Sequence, residues 1–212
     1  MLEQIVSRLQ SRNRQDAWAA NQDSNYAGVL MPLVKRPGNP GVILTKRSEL
    51  LNTHSGQVAF PGGKWDEGDV HLLQTALRET QEEIALPPSS VEVIAELPIL
   101  PSLTDIQVRP YVGLVPPDLN YIPNPDEIEA VFEVPLSYLV NANNLKMQVL
   151  DTVYGDLEMP CYRYDGFIIW GFTLVVLVGF LNFTLDAGLH LEYPPETIRL
   201  RGEKPDQYEL RI

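Results

Sequence analysis

The 212 residues, 44% hydrophobic and 21% charged, have the make-up of a globular protein with a sizeable core rather than a disordered chain. With 28 acidic against 16 basic residues and a formal net charge of −12, the chain lacks the basic stripe that a nucleic-acid surface needs. The same field repels a phosphate ester, so an anionic ligand would require local cations or bound metal.

In chain order, residues 2–20 carry Leu2, Ile5, Val6 and Leu9 at helical spacing and then turn polar, which predicts a short N-terminal helix. No apolar signal-peptide core is present there. Residues 27–34 are a strand-like apolar run broken by Pro32, and residues 35–40 are a turn by their Pro and Gly content. Residues 41–46 read as a second strand, so 27–46 predicts a hairpin. Residues 45–56 form a polar connection with Lys46, Arg47, Ser48 and His54.

Residues 56–86 carry the densest chemistry. A Pro-Gly-Gly turn precedes a helix for which Asp69 is the expected N-cap, with Val70, Leu73, Ala76, Leu77, Thr80 and Ile84 on its apolar side. Glu79, Glu82 and Glu83 gather on the adjoining side. Three close carboxylates repel one another unless compensated, and their hard oxygens suit Mg²⁺ or Mn²⁺. Gly62 and Gly63 let backbone approach a ligand, so carbonyls and carboxylates can converge on one metal site. Three glutamates by themselves would favour a solvated helix face; the glycine turn just upstream is what points to a metal site.

Pro87 and Pro88 stop that helix. Residues 91–97 and 108–115 are strand-like, 116–125 are a Pro-rich loop leading to Glu127, and an apolar stretch runs from Ile128 to Leu139. Residues 145–153 and 158–164 read as further strands. Residues 167–183 are the most apolar run. Seventeen residues lie at the lower limit for a membrane helix, and Gly171, Thr173 and Gly179 interrupt them. No basic flank follows, so we read a buried strand turning into a buried helix. The tail 186–212 is polar and receives no element. Cys161 is alone, which excludes an intramolecular disulfide and fits a small packed residue in a reducing compartment. Without repeats or a linker, residues 1–212 read as one domain of the α/β or α+β class.

Gly63, Arg78, Glu79, Glu82 and Glu83 resemble the Nudix box, G-x5-E-x7-R-E-U-x-E-E-x-G-U with U apolar. Fourteen residues separate Gly63 from Arg78 where the pattern has thirteen. Asp69 stands near the first Glu, Thr80 replaces an apolar residue and Ala85 the last Gly. Residues 43–63 resemble the signature of the coenzyme A pyrophosphatase branch, LLTxR(S/A)x3Rx3Gx3FPGG. Leu44, Thr45, Arg47, Ser48, Gly56, Phe60, Pro61, Gly62 and Gly63 match, while Asn52 stands where that pattern has Arg. The missing charge leaves one phosphate contact of that pattern, and with it the exact substrate, open.

The resemblance implies a Nudix-type α/β/α sandwich, a mixed sheet between helices. It implies a cytoplasmic, Mg²⁺- or Mn²⁺-dependent hydrolase that cleaves the pyrophosphate bond of coenzyme A or acyl-CoA. The products would be 3′,5′-ADP and (acyl-)4′-phosphopantetheine. Glu79, Glu82 and Glu83 become the metal ligands, joined by a carbonyl of Gly62 or Gly63. The implied catalytic set is Glu82, Glu83, Arg78 and Glu127. Arg78 either orients a box carboxylate or makes a helix-surface ion pair. Glu127 is a base, an extra metal ligand or a solvated loop acid. Lys46, Arg47, Ser48, His54 and Lys64 are the substrate-binding candidates, although His54 suits a structural role equally. Two other readings stay open: a Nudix pyrophosphatase acting on ADP-ribose, NADH or an oxidised nucleotide, and a non-catalytic nucleotide-binding module. The expected partner is a small molecule, with no nucleic acid and no membrane; a homodimer is left open.

Overall fold

The computed structural model describes residues 1–11, 25–51, 55–102, 105–152 and 155–193. Asn52, His54, residues 12–20 and residues 194–212 therefore lie outside the described residues. The elements are α1 (Leu2–Gln10), β1 (Tyr26–Val34), β2 (Gly41–Arg47), β3 (Val58–Ala59), β4 (Gly62–Lys64) and α2 (Leu72–Ile84). Then come β5 (Glu92–Glu96), β6 (Leu100–Pro101), β7 (Gln107–Val115), β8 (Ile128–Pro135) and α3 (Leu136–Leu139). The last are β9 (Leu145–Thr152), β10 (Gly155–Tyr164), β11 (Phe167–Ile169) and α4 (Gly171–Leu185).

β1 is the axis of the larger sheet. One edge runs parallel to β7 from Tyr26↔Gln107 to Val34↔Val115. The other edge is shared by two antiparallel partners, β4 against Ala27–Val29 and β2 against Leu33 and Val34. Pro32 does not break the strand as the sequence suggests. The Leu30 N–H points to the β4 side, donating to the Pro61 carbonyl at 2.8 Å. By alternation the nitrogen of Pro32 faces the gap where β1 exchanges β4 for β2, and there no ladder donor is missed. The predicted hairpin is therefore present, with an uninterrupted first arm.

Alternation along β1 also sorts the core. Leu30 and Val34 pack with Leu72, Ala76 and Ile84 of α2 on one face. Met31 and Leu33 pack on the other with Ile5 and Leu9 of α1 and Leu174, Leu177, Phe180 and Leu181 of α4. Each fully buried side chain of this size contributes about 1.5–3 kcal/mol. A mixed sheet thus lies between helices, the α+β sandwich implied by the sequence.

α4 is apolar nearly all round and mostly buried, with Phe172, Val175, Gly179 and Phe183 forming one stripe that is only partly covered. Its Thr173 and Thr184 hydroxyls are satisfied by the Val58 and Phe180 carbonyls at 3.0 and 2.7 Å. Residues 167–185 are accordingly a strand followed by a core helix. No described helix is long and apolar enough to cross a membrane. Arg8 of α1 reaches Asp186, just past α4, at 2.7 Å. A second sheet, ordered β11-β10-β9, is fixed through buried Tyr162, whose hydroxyl donates to the Leu139 carbonyl at 2.7 Å.

Candidate active site

α2 lies close on β1 because Gly28 has no side chain; a Cβ there would drive into the Leu72 carbonyl. Asp69 is not the cap of this helix. His71 is, accepting the Gln74 N–H at Nδ1 over 3.1 Å. Val70, expected on the apolar side, precedes the helix and is 64% exposed. The far end closes on Ala85 at φ 55°, a left-handed position where the Nudix pattern places Gly.

Asp69 is buried instead under Arg78. Nε and Nη2 of Arg78 donate to its two oxygens, and the Asp66 N–H donates to it at 3.2 Å. Burial pushes the Asp69 carboxyl up, but the Arg78 and Asp66 hydrogen bonds outweigh it and hold the group below its ordinary range. Nη1 of Arg78 donates to Glu79 at 2.9 Å and to Glu82 at 3.0 Å. One guanidinium therefore gathers three carboxylates.

The glycine turn is a window in the sheet. The Glu79 carboxyl occupies the space that a Cβ on Gly63 would need. One helical turn on, Glu83 is 2% exposed, accepting the Gly62 N–H at 3.0 Å and Arg47 Nη1 at 3.4 Å. Burial lifts its carboxyl to about 7, with the charges of Glu79 and Glu127 adding to the effect and Gly62 and Arg47 opposing it. Glu79 is raised as well, first by burial, with Arg78 opposing and Glu82 and Glu127 adding.

Glu79, Glu83 and Glu127 line one cavity of about 450 Å³, together with Arg47, Gly62, Gly63 and Lys64. The Glu127 loop is tied down on two sides. Its carbonyl accepts the Ser48 N–H at 2.8 Å, and the Asn124 N–H donates to the Glu83 carbonyl at 2.8 Å. Among the described residues no three acidic, Cys or His side chains stand close enough together to grip an ion as they lie, and the oxygens of Glu79 and Glu83 accept from Arg78, Arg47 and Gly62 instead. The donor chemistry nevertheless fits a hard divalent cation. Glu79 and Glu83 are hard oxygen donors raised first by burial, and the further carboxylates facing the same cleft add to that rise.

The remaining candidates separate by strand alternation. Lys46 and Arg47 are neighbours on β2 and so face opposite ways. Arg47 turns to Glu83, and its buried Nε has no hydrogen-bond partner. Lys46 is held by Glu129 at 2.8 Å and Glu49 at 3.5 Å, beside a separate cavity of about 680 Å³. Ser48 is buried, with its hydroxyl accepting the Leu50 N–H at 3.3 Å, and does not line the cleft. Glu82 is 56% exposed at its side chain and sits beyond the lining. Sequence reasoning missed Ile106, Val108, Trp170 and Phe172, which line the cleft from distant segments. Only the pairing of β1 with β7 and the fold-back of α4 bring them there.

The NUDIX domain family model matches residues 25–150. An uncharacterized Nudix hydrolase NudL of Klebsiella pneumoniae subsp. pneumoniae is 43% identical over 177 residues, 83% of this chain and 91% of the relative. The Escherichia fergusonii relative of the same description is 46% identical over 154 residues, 71% of this chain and 78% of its own. Among solved structures, a MutT/nudix family protein from Enterococcus faecalis aligns with 95% of this chain and 80% of its own at 14% identity, with a TM-score of 0.49.

Proposed function

The chain belongs to the Nudix family of hydrolases, and from that premise we propose that it cleaves the pyrophosphate bond of coenzyme A or an acyl-CoA. The products are 3′,5′-ADP and (acyl-)4′-phosphopantetheine, and the metal is Mg²⁺ or Mn²⁺. One observation carries the reading. Arg47, from the segment resembling the coenzyme A signature, stands 3.4 Å from Glu83 of the box, so both motifs serve one cleft.

Nudix hydrolases generally use divalent metal ions. Glu79, Glu82 and Glu83 would hold the ion here, with a Gly62 or Gly63 carbonyl. Such an ion supplies charge neutralisation on the diphosphate and acidifies water near neutral pH. Arg47 and Lys64 hold phosphate oxygens, Arg47 with a guanidinium fork suited to them. Arg78 orients Glu79 and Glu82 from its seat on Asp69. Glu127 takes the proton from the attacking water. Lys46 and Ser48 act one step back, in the partnerships described above.

Incubation with coenzyme A and either metal tests this, with separation of 3′,5′-ADP and 4′-phosphopantetheine as the expected result. Cleavage of ADP-ribose, NADH or an oxidised nucleotide without cleavage of coenzyme A would move the chain to another substrate. Tight calorimetric binding without product would make it a nucleotide-binding module.

A further inference from the structure

Resting on the coenzyme A reading, we propose that the apolar floor of the cleft seats the branched pantoyl carbon of the coenzyme. This contact selects a pantetheine arm over a second ribose. Val29 on β1 is registered against Gly62 on β4, and Gly62 donates its N–H to Glu83 at 3.0 Å. Paired strands lie about 4.8 Å apart, so Val29 stands one strand spacing from the backbone that holds Glu83. On the same face Ala27 is registered against Lys64 on one side and Val108 on the other. Ile106 and Phe172 extend this apolar surface within the same cavity of about 450 Å³.

The chemistry within a few bonds of the diphosphate decides what such a floor can accept. A diphosphate between two sugars, as in ADP-ribose or a dinucleotide, presents ribose hydroxyls on both sides. Against Val29 the ribose ring oxygen beside C4′ would lose water and gain no donor, and no methyl would fill the floor. On its pantetheine side coenzyme A presents something different. One methylene beyond the ester oxygen stands a quaternary carbon bearing two methyl groups, where a ribose has C4′ with its ring oxygen; the pantoyl hydroxyl follows on the next carbon, as the ribose 3′-hydroxyl does. A branched aliphatic group that close to the phosphorus fits a valine one strand away from Gly62, and its burial there removes apolar surface from water.

Methyl-labelled full-length protein titrated with 4′-phosphopantetheine tests the contact without turnover. Intermolecular NOEs from the paired ligand methyls to Val29 and Val108 are expected. Val29→Thr, which keeps the shape and adds a hydroxyl, should raise KM for coenzyme A about tenfold, with the loss expressed in KM rather than kcat. NOEs from these valines to the adenine protons of 3′,5′-ADP instead would overturn the inference. So would an unchanged KM in a Val29→Thr enzyme that still cleaves coenzyme A, which leaves the substrate reading standing. A wild-type enzyme that cleaves ADP-ribose and not coenzyme A would overturn both.

Discussion

Arg78 reaches back nine residues to chelate Asp69, Nε to Oδ1 at 3.1 Å and Nη2 to Oδ2 at 2.9 Å. The aspartate is an anchor set into the protein, and the guanidinium swings from it to hold Glu79 and Glu82 with its free nitrogen. Asp69→Asn keeps the shape and removes the charge. We expect a loss of about 2 kcal/mol in chemical denaturation at pH 7. The folded-state carboxyl lies below its ordinary range, so its contribution is present above the ordinary Asp value and disappears as the pH falls through the folded value. Wild-type protein should therefore lose more stability than Asp69→Asn in that acid window.

Glu83 has the opposite sign. Its carboxyl is lifted to about 7 from 4.5, so between those values the folded protein binds the proton that the unfolded chain has released. Metal-free protein should lose on the order of 3 kcal/mol as the pH rises from about 4.5 to 7. Glu83→Gln should flatten that slope in a Tm-against-pH series. Added Mg²⁺ or Mn²⁺ should raise Tm more at pH 8 than at pH 5, because protonation competes with cation binding.

Two glycine substitutions should fail in different ways. The atoms nearest a Cβ at Gly63 are the tip of the Glu79 side chain, which can move aside. Gly63→Ala is thus expected to keep most of its Tm while turnover falls by about two orders of magnitude. A Cβ at Gly28 meets helix backbone, which cannot yield alone. Gly28→Ala should lower Tm sharply. A Gly63→Ala protein with intact turnover would show that the placement of Glu79 is not needed.

Arg47→Lys exchanges the fork for a point charge and withdraws Nη1 from Glu83. A lost charge-assisted hydrogen bond of 1.5–3 kcal/mol corresponds to about tenfold or more, expected mainly in KM for a diphosphate substrate. Glu127→Gln should cut kcat by about 10² with Tm unchanged, as removal of a positioned base does. Equal effects of the two variants on KM would demote Glu127 to a substrate contact.

Local patterns foretold the hairpin, the box helix and the strand that turns into α4, because each is written in contiguous spacing. They went astray where a partner from far along the chain decides the outcome. Asp69 has the composition of a helix cap, yet Arg78 on the following helix offers it two donors and His71 takes the cap. Pro32 signals a break, but β1 changes neighbour at that point and needs no donor there. Lys46 and Arg47 look interchangeable in a polar segment; once the strand extends through Arg47, alternation sends only one of them to Glu83. The acidic half of the cleft could be read from one helix and one turn. Its apolar half, assembled from β1, β7 and the start of α4, could not.

The clasp between Arg8 and Asp186 joins the first described helix to the end of the last. Ile5 and Leu9 share their cluster with Ile94 and Ala95 of β5 and with α4, so the part of their cover that α4 supplies is made after β5 has left the ribosome. Until then the side of the stripe they form that is meant for α4 stays uncovered. A stalled or prematurely terminated product that lacks α4 should be cleared by proteolysis rather than accumulate as a half-working enzyme.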